Sequence, residues 1–260
     1  QDYPDYEVIV VNDASDDDTI ELLRSFTLKY SHLRIFNLEQ NLNFFSGKKF
    51  PLSLGIKSAR HEIVLLTDAD CQPSGKEWIR KMIENYGPGT VIVLGYGTFR
   101  KTAGFLNQII RYDAFLVAVQ YLSFALSGSP YMGVGRNLSY KKNLFFKNGG
   151  FISHYKLKSG DDDLFINRVA RRRNTRIEIH PDAHTISSPK SGFYQWILQK
   201  RRHYTTARFY RPAFKFLLSL GYVSKLLLYL SFIALMVIRY NWMIVLGAFS
   251  LFFGGGDFLA

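Results

Sequence analysis

A single cysteine, Cys71, is all that the 260 residues contain. That excludes an internal disulfide framework and a four-cysteine zinc site, and it suits a reducing compartment. Neither an internal repeat nor a low-complexity linker interrupts the chain. Wholesale disorder is excluded as well, because 47% of the residues are hydrophobic and only 21% charged, enough to build a buried core. No secretory signal pattern is present. The chain opens on Gln1 rather than Met and stops inside the apolar stretch Gly254 to Ala260, so it reads as a fragment.

What is present is uneven charge. Residues 1 to 100 hold 11 Lys/Arg against 14 Asp/Glu, while the remaining 160 hold 22 against 7, and the whole chain carries +12. The acidic and basic parts are expected to do different jobs. Between Arg136 and Lys215 stand 18 Lys/Arg and 5 Asp/Glu. Directly after them, Phe216 to Ile238 runs for 23 residues with Lys225 as its one charge, and Trp242 to Ala260 for 19 with Asp257 alone. A membrane span needs about 20 mostly apolar residues. The two runs, joined by Arg239, Tyr240 and Asn241, therefore predict a helical hairpin across a bilayer, with Tyr240 and Trp242 in the interfacial belt and the basic flank on the cytoplasmic side. Lys225 can snorkel, leaving Phe214 to Leu220 as an interfacial helix. The alternative is a hairpin buried in a soluble protein.

Upstream, apolar strands alternate with helical patterns. Strands are expected at Glu7–Asn12, Leu33–Leu38, Glu62–Thr67 and Thr90–Leu94, each a β-branched or leucine-rich run of buried-strand length. Helices are expected after Ser15, over Gly47–Ala59 and after Ser74, with both serines read as caps. This order predicts an α/β fold with a mostly parallel sheet flanked by helices, whose ligands sit beyond the carboxyl ends of the strands.

Two acidic groups lie at such ends, and a third opens a helix. Asp68 and Asp70 follow the third strand two residues apart, so in extended chain both carboxylates face one point. Their repulsion is relieved by a proton or by a hard divalent cation. A surface turn gives the same spacing, and it is the position at the sheet edge that favours function. Asp13 ends the first strand, where it also suits a helix N-terminus. Asp161, Asp162 and Asp163 open a helix with Leu164, Ile166, Val169 and Ala170 inward and Arg168 and Arg171 to Arg173 outward. One of the three can serve as a general base, and helix-dipole compensation explains the cluster equally well. Farther on, Gln195, Gln199 and Arg202 form one polar helical stripe, apart from an apolar stripe of Phe193, Trp196, Ile197 and Tyr204. A guanidinium there suits a leaving diphosphate, and a solvated basic helix beside a membrane is the other reading.

In this order the pieces resemble the family 2 glycosyltransferases, above all the membrane-embedded members related to cellulose, chitin and hyaluronan synthases and ceramide glucosyltransferase. The resemblance rests on Tyr3 to Asp17 with its strand and Asp-rich turn, Gly47-Lys48 through Ser53-Leu54-Gly55, and Asp68-Ala69-Asp70. It continues through Gly133-Val134-Gly135-Arg136-Asn137 and Gly160-Asp161 to Gln199 through His203, about 200 residues in all. It implies a GT-A-type catalytic domain over residues 1–207, lacking its first nucleotide-binding strand, followed by interfacial and transmembrane helices over 208–260. By the same resemblance the donor is a nucleotide-diphosphate sugar of the UDP type. Asp13 and Lys48 contact the nucleotide and diphosphate, and Asp68 and Asp70 hold donor and Mg²⁺ or Mn²⁺. Asp161 deprotonates a lipid or glycan acceptor hydroxyl, with Asp162 in that role if the register shifts by one. Arg202 and Gln199 face the departing diphosphate, and the displacement inverts the anomeric centre. The product is expected to be a polysaccharide or glycolipid, made by a multi-pass membrane protein in contact with membrane lipids, its catalytic domain in the cytoplasm.

The sequence departs from that pattern at Ser53, at Gly160, where a glutamate is usual, and at His203, where a tryptophan would stack on an acceptor sugar. These departures motivate a second reading, a non-catalytic membrane scaffold that keeps the transferase-like fold. Nucleic acid is not expected as a partner, since the arginines of 168 to 176 come with no recognised nucleic-acid motif.

Overall fold

The computed structural model describes residues 1–38, 47–238 and 241–254. The chain divides into two compact units, Gln1–Phe209 and Tyr210–Ala260.

In the first unit, β1 (Val8–Asp13) and β2 (Leu33–Leu38) pair in parallel, with Val8 opposite Leu33 and Asp13 opposite Leu38. α1 (Thr19–Thr27) crosses between them, as a parallel pair requires. α2 (Lys49–Ser58) lies on β1, close enough that a side chain at Gly55 would touch Val11. β3 (Ile63–Leu66) leads to the Asp68 turn, after which come β4 (Cys71–Pro73), α3 (Trp78–Glu84), β5 (Ile92–Gly95) and β6 (Gly97–Phe99). α4 (Phe105–Leu126) buries Ile110, Ala114, Ala118 and Tyr121, a helical stripe packed toward β6 and, farther along the chain, β8 (Thr175–Glu178). Between those two run β7 (Leu138–Lys141), α5 (Lys142–Lys147) and α6 (Asp163–Val169). β9 (Thr185–Ser187) and α7 (Phe193–Ala207) close the unit.

The main sheet has the order β3-β7-β5-β8, and a smaller one β4-β9-β6. β5 is central, and its Ile92, Val93 and Leu94 are fully buried. Where a mostly parallel sheet was expected, the pairing is mixed. β7 runs antiparallel to both β3 and β5, β4 antiparallel to β9, while β5–β8 and β6–β9 are parallel. An apolar run such as Ile92–Leu94 has the same composition whichever way its neighbours point, so direction was not encoded in it.

Two caps differ from expectation. Ser15 donates to Asn12 Oδ1 at 2.5 Å, and α1 starts only after Asp18. Ser74 donates to the carbonyls of Pro181 and His184, because β4 pairs with β9 and carries the chain past them, so that Glu77 occupies the cap position of α3.

In the second unit, α8 (Pro212–Val237) has 26 residues and α9 (Trp242–Gly254) has 13. They pack on each other through Phe249, which stacks on Phe232 and meets Tyr229 edge-on, as a helical hairpin. α4 and α8 are both long and apolar enough to cross a membrane by length and composition. α4 has a buried face in the first unit, whereas none of the most apolar window of α8 is buried. The expected interfacial Tyr240 and the last six residues of the second apolar run lie outside the described residues.

Candidate functional site

Strand β3 ends two residues before Asp68, and α2 begins one residue after Lys48. These two ends meet. Lys48 Nζ lies 2.8 Å from Asp68 Oδ1 and 3.0 Å from Asp161 Oδ2, so one ammonium joins the carboxylate after β3 to the first of the acidic triplet. Half of the Lys48 side chain remains open to solvent. Removal of its Nζ end from solvent favours the neutral amine, but Asp161, Asp68 and Asp162 outweigh it and hold the ammonium well above the usual lysine range.

Asp161 is buried, 4% exposed. Burial raises its pKa, the neighbouring Asp162 raises it further, and Lys48 opposes both. Asp162 is spent differently. Its Oδ1 accepts from Asp163 N and its Oδ2 from Gly135 N, both at 2.7 Å, which caps α6 and fastens the loop 133–137 to it. Asp163, also buried, accepts from Leu164 N and from the hydroxyl of Thr206 on α7.

Asp68, Asp70 and Cys71 offer ligand atoms within 4.8 Å of one another. The two carboxylates suit a hard divalent ion completed by substrate oxygens. The Cys71 thiol is turned to Ser187 Oγ at 3.0 Å, and burial raises its pKa, so it stays a thiol beside the pair. Asp13 ends β1, followed by Ala14 with φ of 55°. That left-handed residue reverses the chain toward α1, and Asn12 fixes the turn by bonds with Asn37 and Ser15.

Gln199, Arg202 and His203 lie on α7, on the same helical side as the anchored Thr206. His203 keeps an exposed edge, yet its imidazole pKa falls to about 4, through lost solvation of the ring and then through Arg202, Lys200, Arg136 and Lys48. Thr206, on this side of α7, bonds Asp163, two residues after Asp161. The opposite side faces α4 across an open cleft of about 530 Å³, lined by Trp196, Ile197, Tyr204 and Arg201 and crossed by a Lys200–Asp113 ion pair of 2.6 Å.

Sequence reasoning assigned no role to three side chains that shape this region. Lys49 is buried and donates to the backbone of 157–159. Thr206 anchors α7. Asn137, fully buried, accepts from Trp78 Nε1 and donates to the carbonyls of Tyr96 and Ala183, tying α3, the β5–β6 link and the segment before β9 to the end of the loop 133–137. The place of Asn137 at the end of the Gly133–Asn137 motif was the one available signal.

The sequence profile of glycosyl transferase family 2 matches residues 1–154. Among curated relatives, the uncharacterized glycosyltransferase YkcC of Bacillus subtilis is 31% identical over 103 residues, which is 40% of this chain and 30% of the relative. The glycosyltransferase AglE of Haloferax volcanii is 30% identical over 118 residues, 44% of this chain and 37% of that protein. Among solved structures, the mannosyltransferase PcManGT from Pyrobaculum calidifontis, in complex with GDP-Man and Mn²⁺, superposes with a TM-score of 0.58 at 22% identity. The match covers 77% of this chain and 53% of that one, and it shows a shared GT-A-like α/β fold. The chain thus spans about a third of the curated relatives and half of the structural one.

Proposed function

Since the chain belongs to glycosyl transferase family 2, we propose that residues 1–207 form the catalytic domain of an inverting glycosyltransferase that moves a sugar from a nucleotide-diphosphate donor to an acceptor hydroxyl. The observation that carries this reading is Lys48 standing between Asp68 and Asp161. A donor-side carboxylate and a buried base candidate lie within one ammonium group of each other, as a single displacement needs.

Asp161 accepts the acceptor proton while the acceptor oxygen forms its bond to the anomeric carbon, and the bond from that carbon to the diphosphate oxygen breaks on the far side. Burial suits Asp161 for this, since a carboxylate of raised pKa is the stronger base. Both Asp162 oxygens already hold backbone N–H groups, which favours Asp161 over its neighbour. Lys48, and Arg202 with Gln199 on α7, offer cationic and polar groups to the leaving diphosphate. Asp13 at the end of β1 is the residue for the nucleotide. Asp68 and Asp70 would hold Mg²⁺ or Mn²⁺, which supplies charge neutralisation to the diphosphate. PcManGT was solved with Mn²⁺ and a nucleotide sugar, and its shared fold supports this assignment. We take the donor to be a UDP-sugar and the acceptor a lipid or glycan.

Residues 208–260 are read as the membrane part. The exposed apolar surface of α8 supports this, as do the basic residues that precede it, which keep the catalytic domain cytoplasmic. The test is sugar transfer by the full-length protein. Asp161→Asn is expected to abolish it, and undiminished turnover would end the base assignment. A non-catalytic scaffold would instead bind no UDP-sugar with Mn²⁺ in titration calorimetry.

A further inference from the structure

We infer that Lys49 is a positioning residue for the base: it sets the backbone that presents Asp161 by holding the carbonyls of Leu157 and Ser159. The inference rests on the catalytic reading of Asp161 above.

Lys49 follows Lys48 in the chain, yet the two side chains do different work. Lys48 meets the carboxylates themselves. Lys49 is buried, 3% exposed, and its Nζ donates to Leu157 O at 2.5 Å and to Ser159 O at 2.7 Å. A buried ammonium is costly unless its donors are taken up. Here the acceptors are main-chain oxygens four and two residues before Asp161, so the charge is spent on a loop. Burial lowers the Lys49 pKa, and Asp161, Asp163 and Asp162 work against that.

The rest of the loop has little freedom to compensate. Gly47, with φ of 137°, is packed so tightly that a Cβ there would meet Lys158 O at 3.0 Å. Gly160 turns the chain at φ of 100°, against Leu164. Past it, Asp162 is fixed by Gly135 N. The segment 157–162 is thus tied to the start of α2 at one end and to the loop 133–137 at the other, with Asp161 between. Without Lys49, two partly buried carbonyls lose this donor and the first tie is released.

Two measurements on the full-length protein test this. Hydrogen exchange of the amides at 157–161 is expected to accelerate about tenfold or more in Lys49→Met, while β5 and β7 stay protected. In sugar transfer the same variant is expected to lose about 100-fold in kcat, the cost of a base misplaced by about an ångström, with the donor KM changed less than about threefold. Lys49→Arg, which keeps buried donors, is expected to recover at least about tenfold of that loss. A Lys49→Met enzyme with kcat within about threefold of the parent, or with unchanged exchange at 157–161, overturns the proposal. So does an Arg variant as poor as Met while folded and binding donor normally. Absence of transfer in the unsubstituted parent overturns instead the functional reading, and the exchange experiment tells the two apart.

Discussion

Thr206 on α7 donates its hydroxyl hydrogen to the buried carboxylate of Asp163, two residues after Asp161. One bond therefore joins the helix that carries Gln199 and Arg202 to the helix start that carries the base candidate. Thr206→Val keeps the shape and removes the donor, leaving a buried carboxylate oxygen with one partner fewer. The expected cost is about 1–3 kcal/mol of stability, read as a lowered midpoint in denaturant of the detergent-solubilised protein. Transfer should fall with it, and more in kcat than in donor KM, since α7 loses its register on α6.

The pH dependence follows from the cation between the carboxylates. Asp161 must be unprotonated to take the acceptor proton. Burial raises its pKa, Asp162 raises it further, and Lys48 opposes them. Removing Lys48 takes away the largest influence that lowers it, so at any given acidic pH a larger fraction of Asp161 is protonated. In Lys48→Met the acid limb of kcat should move to higher pH. A profile that merely drops in height, with its acid limb unmoved, would separate Lys48 from the base.

Divalent-ion dependence should reside in Asp70 more cleanly than in Asp68, because Asp68 is also the partner of Lys48. Asp70→Ala is expected to weaken Mn²⁺-dependent binding of the nucleoside diphosphate by about tenfold or more, with the metal-free binding unchanged. Calorimetric titrations with and without EDTA measure both. Cys71→Ser should change them less than Asp70→Ala does, since the thiol meets Ser187 Oγ at 3.0 Å and reaches Asp70 Oδ1 only at 3.7 Å.

Local features were the legible ones. The strand Leu33–Leu38 agrees with expectation residue for residue, and the α2 pattern falls within two residues of its observed start and one of its end. Asp68 could be put at a strand end because a four-residue apolar run precedes it. Lys49 could not be read in the same way. Its partners are 108 and 110 residues away, and they are backbone carbonyls, which leave no trace in the side-chain pattern. Thr206 and Asp163 are 43 residues apart, with the same consequence. Ser74 failed as a cap because a strand pairing 110 residues distant took its hydroxyl. Tertiary bonds outranked local propensity at each of these positions.

Gly160 decides between two views of an atypical residue. As a missing glutamate it would mark a site that has lost activity. Its conformation argues otherwise. With φ of 100° it lies where L-residues are strained, and a Cβ would come within 2.5 Å of Leu164 Cδ1 and 2.9 Å of its Cγ. Leu164 is buried in α6 and cannot swing aside freely. The glycine is therefore demanded by the turn that delivers Asp161, whatever a glutamate does in relatives. Gly160→Ala should cost about 1–2 kcal/mol from backbone strain alone, with the overlap added, and should depress kcat more than donor affinity because the displaced residue is the next one. Thermal unfolding and transfer assays on Gly160→Ala and Gly160→Glu measure both effects. If Gly160→Glu were as stable as the parent and more active, the glycine would be a lesion and the tight turn dispensable.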